Sequence, residues 1–118
     1  TGIGTATFTA DGDIYYAINL PGLMFGTAIK WRAATVFFTL AGTAQIDSNT
    51  WREHVPSGAT TIFDDDSVAI TAGKTHSASN LPRTVSPDSV LYLNLDISGT
   101  GVKSAVTIRG VLVTYDIA

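Results

Sequence analysis

The chain contains no cysteine, which excludes disulfide bridges and thiolate chemistry outright. Charge is scarce too: 14% of the residues are charged and the net charge is −3. The basic residues Lys30, Arg32, Arg52, Lys74, Arg83, Lys103 and Arg109 are scattered singly. Tracking a phosphate backbone needs such residues clustered, so nucleic acid is not an expected partner. Glu53 is the one glutamate, Gln45 the one glutamine, and there are three lysines. With these strong helix formers nearly missing and Thr, Val, Ile and Gly abundant, the composition is that of an all-β chain. No apolar run approaches the ~20 residues of a membrane-spanning helix, and nothing resembles a signal peptide. Thr1 in place of Met fits a processed terminus or a piece of a longer chain.

The 118 residues suffice for a single domain over residues 1–118, which at this size buries roughly 65% of its unfolded surface without metal or disulfide. About eight strand-like stretches stand between turn residues at the spacing of a two-sheet antiparallel sandwich. The first covers residues 3–10, and Asp11-Gly12-Asp13 reads as a tight turn into residues 14–20. Pro21-Gly22 opens a loop before the long stretch 28–41, one bent strand or two, with Ile29, Trp31 and Ala33 on one side. A weaker strand follows towards Val55, and Pro56, Ser57 and Gly58 turn the chain. Residues 60–63 and 68–71 read as short strands around the acidic turn Asp64-Asp65-Asp66. Pro82 makes residues 75–85 an edge or a loop. In residues 90–97, Leu91, Leu93, Leu95 and Ile97 share one face while Val90, Tyr92, Asn94 and Asp96 share the other. Residues 98–101 read as a hairpin turn into the closing strand. No 3.6-residue period, internal repeat or low-complexity segment interrupts this pattern. The expected architecture is jelly-roll-like, ahead of an immunoglobulin topology whose Cys…Trp…Cys framework is missing.

Little in the chain suggests chemistry. His54 and His76 read as isolated loop histidines without the spacing of a metal motif. Asp64, Asp65 and Asp66 are a weak calcium candidate, because neighbouring side chains diverge and the glycine of a calcium loop is absent. Glu53 and His54 are adjacent, so on a strand they point to opposite faces and do not form an acid–base pair. Ser57 in "PSGA" lacks the context of a nucleophile elbow. No nucleophile, base and orienting group assemble, so the chain is not expected to be an enzyme or to need a cofactor. Trp31, Trp51, Tyr15, Tyr16 and Tyr92 fit the filling and rim of a small β-core. Trp51, next to Arg52 and after the "DSNT" turn, is the aromatic expected to be exposed. Together with Tyr15 it is the candidate for ligand or partner binding.

The closing segment "VTIRGVLVTYDIA" poses a separate problem. Alternation holds from Val106 to Gly110 and then fails, leaving apolar residues on both faces. Either Gly110 seats a β-bulge that turns Val111, Val113, Tyr115 and Ile117 into the core, or the strand lies between its own core and another subunit. Val90 and Tyr92 on the strand before it extend the apolar surface, and monomers seldom leave such patches bare. On that ground Val90, Tyr92, Val111, Val113 and Tyr115 are the expected oligomer interface.

Leu20-Pro21, then Asp88 before Leu91, Leu93 and Leu95, then Gly110-Val111, Val113 and Tyr115 form a series. It resembles the small β-sandwich structural proteins of tailed-phage virions. Residues 45–84 depart from that pattern. The resemblance implies a virion location and a capsid decoration or cement protein that associates with copies of itself, as a trimer, and with capsid or tail proteins. It also covers head fibres and receptor-binding tips. The alternative it leaves open is a carbohydrate- or receptor-binding module at a tail fibre or spike, using Tyr15, Trp51, Arg52 and the acidic turn.

Overall fold

A computed structural model describes residues 5–18, 23–24, 27–58, 60–66, 69–84, 86 and 89–117. Leu20, Pro21 and Asp88, part of the sequence resemblance, lie outside them. The described residues form ten strands and no helix: β1 (Ala6–Phe8), β2 (Gly12–Ile18), β3 (Leu23–Met24), β4 (Thr27–Ala41), β5 (Gln45–His54), β6 (Thr60–Asp66), β7 (Thr75–Ser77), β8 (Arg83–Thr84), β9 (Val90–Ser98) and β10 (Ala105–Ile117).

Two antiparallel sheets result. The smaller has the order β2-β9-β5-β6; the larger runs β1-β10-β4-β3, with β7 and β8 also paired to β4. With β7 and β8 counted as one interrupted strand and the two-residue β3 set aside, eight main strands remain. The first then pairs with the eighth, the second with the seventh, the third with the sixth and the fourth with the fifth. That is the jelly-roll order, and the expected fold class is the one observed.

The core is a single cluster drawn from both sheets. The larger sheet supplies Ile29, Trp31, Ala34, Val36, Phe38, Val106 and Ile108; the smaller supplies Ile46, Trp51, Phe63, Leu91, Leu93, Leu95 and Ile97. The Leu-rich strand β9 lies between two partners and buries one whole face, as its period of two requires. Each such side chain contributes about 1.5–3 kcal/mol on burial.

β4 is one strand of 15 residues and forms the spine of the larger sheet with β10. Its alternation slips once: Tyr115 lies opposite Trp31 but Thr114 opposite Ala33, so Arg32 is the extra residue. Ala34 therefore enters the core, and Ala33, expected beside Ile29 and Trp31, is exposed.

The closing strand carries a bulge at Arg109-Gly110, since Ile108 pairs with Phe38 and Gly110 with Phe37, leaving Arg109 unmatched. Val106 and Ile108 face inward before it. After it Val111, Val113 and Tyr115 pack against the same core while Leu112 is 55% exposed. The apolar run on both sides of Gly110 is thus one face interrupted by an added residue. β9 and β10 moreover belong to different sheets. Val90 and Tyr92 lie on the outward side of one and Val111, Val113 and Tyr115 on the inward side of the other, so the five do not form the expected patch.

Other local expectations change for the same reason. β1 and β2, like β9 and β10, lie in different sheets, so residues 9–11 and 99–104 connect the two sheets and join no hairpin of these strands, although Gly101 and Ser104 close a tight turn around Val102-Lys103. Thr43 clamps the second of them: its hydroxyl donates to the Gly99 carbonyl at 2.7 Å. Gly99 has φ +69 and an added Cβ would lie 2.2 Å from the Thr43 carbonyl oxygen, so only glycine fits there.

Candidate functional site

The outward face of the smaller sheet carries the site. Alternation on its strands sends Tyr15 (β2), Tyr92 and Asn94 (β9), Arg52 and His54 (β5) and Thr60 (β6) to the same side. The register then gathers them: Tyr15 is opposite Asn94, Tyr92 opposite Arg52, and His54 opposite Thr60. These six side chains line an open pocket of about 210 Å³.

Its floor is fixed. Asn94 is 7% exposed and donates through Nδ2 to the Ile14 carbonyl at 3.4 Å, with the Asp13 carboxylate at 3.5 Å. His54 Nδ1 lies 2.8 Å from the Thr60 hydroxyl, and its ring stands edge-on to Tyr92 with centroids 6.1 Å apart. Tyr15 is 67% exposed and forms an upstanding wall on the edge strand. Arg52 is partly buried, and its Nε is covered by protein without a hydrogen-bond acceptor. Among the described residues Arg52 has no ion pair.

Rings, a fork of guanidinium donors and an amide can hold a small polar ligand with flat apolar faces. The His54–Thr60 pair has no carboxylate orienting the imidazole among the described residues.

The sequence candidates separate clearly. Tyr15 and Arg52 come together here, with Tyr92 from the expected interface. Trp51 does not join them. It is 0% exposed, because its neighbour Arg52 points outward and a strand sends the next residue to the opposite face. Its expected exposure is thereby corrected. His54, expected in a loop, stands on β5, and His76 stands on β7 with Nε2 3.4 Å from the Asp66 carboxylate.

The acidic triplet is the end of strand β6 and not a turn. Its carboxylates diverge to separate partners. Asp64 accepts from the Ser79 amide at 3.1 Å and hydroxyl at 2.7 Å, Asp65 from Thr50 at 3.3 Å, and Asp66 faces His76. No three His, Cys, Asp or Glu side chains gather as ion ligands among the described residues.

Glu53 lies on the inner face, 2% exposed. It accepts from Arg83 Nη2 and from the Ser86 amide, both at 2.8 Å, while Arg83 lies 5.0 Å over the Phe63 ring. Glu53 therefore ties the segment around β8 to the core, and His54 points away from it.

A second depression of about 370 Å³ lies on the larger sheet, with Phe37, Thr39, Lys74 and Arg109 around it. Arg109 donates to the Thr39 hydroxyl at 2.7 Å. Phe37 is 37% exposed opposite Gly110, which has no side chain to cover the ring, and Leu112 is its diagonal neighbour.

Sequence reasoning missed His54, Thr60 and Asn94 as site residues. The two-residue spacing of Arg52 and His54, and of Tyr92 and Asn94, was the available signal; Thr60 joins only through strand pairing. Set against known protein families, curated proteins and solved structures, the chain matches none.

Proposed function

We propose that this chain is a non-enzymatic binding domain of a tailed-phage particle that recognises a carbohydrate receptor through the outer face of its smaller sheet. The observation that carries the reading is the pocket in which exposed Tyr15 stands beside Arg52, Tyr92 and Asn94. An exposed tyrosine beside fixed polar donors suits the apolar face and hydroxyl rim of a sugar ring. Jelly rolls serve as lectin and capsid domains alike, so the fold accommodates the role without specifying it. The virion location rests on the sequence resemblance.

A second reading keeps the domain on the particle as a decoration protein that associates with its own copies as a trimer and with a capsid surface. What favours it is exposed Phe37 beside exposed Leu112 on the larger sheet, an apolar pair in a chain of low charge.

A glycan array probed with the folded protein and with Tyr15→Ala, together with sedimentation, separates the two. Glycan binding abolished by Tyr15→Ala supports the receptor reading. A silent array with a trimer that Leu112→Asp dissociates supports decoration and overturns it.

A further inference from the structure

We infer that the pocket takes a sugar bearing a carboxylate, a uronic or sialic acid unit, with Arg52 as the group that holds the acid. The inference rests on the proposed carbohydrate reading and narrows it to one ligand class.

The argument begins with the charge of Arg52. A guanidinium withdrawn partly from water loses hydration, and proteins ordinarily offset that loss with a carboxylate partner. Elsewhere here that happens: the largely covered Arg83 pairs with buried Glu53. Arg109 spends its Nε on the Thr39 hydroxyl. Arg52 has neither an ion pair nor a side-chain hydrogen bond among the described residues, although its Nε is fully covered. It also lines the depression on the smaller sheet's outer face. An anionic group entering there meets a planar fork of donors suited to bidentate binding of a carboxylate.

Neighbouring groups set the rest of the specificity. Tyr15 and Tyr92 offer ring faces, and His54, Thr60 and Asn94 offer polar atoms to ring hydroxyls. The volume of about 210 Å³ falls below the roughly 300–1,000 Å³ of pockets for drug-sized ligands, so it suits one sugar unit. Asp13 stands beside Asn94, and Asp65 projects from β6 opposite Thr50. With a net charge of −3, these carboxylates repel a densely sulfated polymer while leaving room for a single acid at Arg52.

The test uses matched probes: sialyllactose against lactose, and galacturonic acid trimer against its methyl ester, each titrated into the wild-type chain, Arg52→Gln and Arg52→Lys. Circular dichroism checks that each variant is folded. The inference predicts that an acidic probe binds, that its neutral counterpart binds about 10- to 100-fold more weakly, and that Arg52→Gln removes the difference. Arg52→Lys should keep part of the preference, since it retains charge without the fork. The methyl-ester comparison reads the carboxylate in the unaltered protein, so a variant that fails to fold does not spoil the test. Equal binding of acidic and neutral probes, lost in Tyr15→Ala, would overturn the inference and leave the carbohydrate reading standing. Absence of binding to every probe would overturn both.

Discussion

Val113→Asp and Leu112→Asp form a pair of substitutions whose outcomes depend on the bulge at Arg109-Gly110. Without that added residue, the alternation begun by Val106 and Ile108 would carry Leu112 inward and Val113 outward. With it, Val113 is partly buried against the core and Leu112 is 55% exposed. Losing most of a valine's burial costs about 1–2 kcal/mol. A carboxylate set against the apolar interior without a donor adds further desolvation cost, bringing the loss to about 3 kcal/mol or more. A domain of ordinary stability holds about 5–15 kcal/mol in all, so Val113→Asp should be severely destabilised. Leu112→Asp should stay within about 0.5 kcal/mol, as surface substitutions do. Urea unfolding followed by circular dichroism measures both. A stable Val113→Asp beside an unfolded Leu112→Asp would refute the register. A folded, monomeric Val113→Asp from an assembled parent would instead mean that Val113 faces another subunit.

Three other outcomes follow from the same contacts. Glu53→Ala strands the Arg83 guanidinium and the Ser86 amide; breaking a buried pair typically costs about 3–5 kcal/mol, and chemical unfolding should give the lower end because Arg83 keeps some solvent contact. Trp51→Ala should destabilise by about 3–5 kcal/mol through a core cavity while leaving the affinity per folded molecule unchanged, which titration of active protein reads. The Asp11 carboxyl is held below its ordinary value of 3.8 by the Thr100 hydroxyl and then its amide; a depressed carboxylate stabilises above its unfolded pKa and loses that stabilisation as pH falls through the lower folded one. Stability should therefore decline below about pH 4 less steeply in Asp11→Asn than in the wild type, as acid titrations of thermal unfolding would record.

Much of the fold was legible because period-two patterning and composition are local properties. Leu91, Leu93, Leu95 and Ile97 marked the buried face of β9 unaided. The failures occur where an added residue shifts the face or where pairing is remote. The slip at Arg32 turned Ala33 out and Ala34 in, and nothing in "WRAAT" marks it. Gly110 did signal the bulge, but choosing between bulge and interface required knowing that β9 and β10 lie in different sheets. At the site, Tyr15 and Arg52 were within reach as polar aromatics and cations are. Trp51 misled because bulk suggested a binding platform where strand alternation dictates the opposite face from Arg52. His54 and Thr60 meet only through the β5–β6 register, and Asn94 meets Tyr15 only through β2–β9, long-range pairings that no short stretch encodes.

The most direct measurement is amide chemical-shift mapping of the labelled protein titrated separately with sialyllactose and with a galacturonic acid trimer. A binding face on the smaller sheet predicts shifts concentrated around Tyr15, Arg52 to His54, Thr60 and Tyr92 to Asn94, with the larger sheet silent. Shifts gathered instead around Phe37, Thr39, Arg109 and Leu112, or none with either probe at saturation, would contradict it.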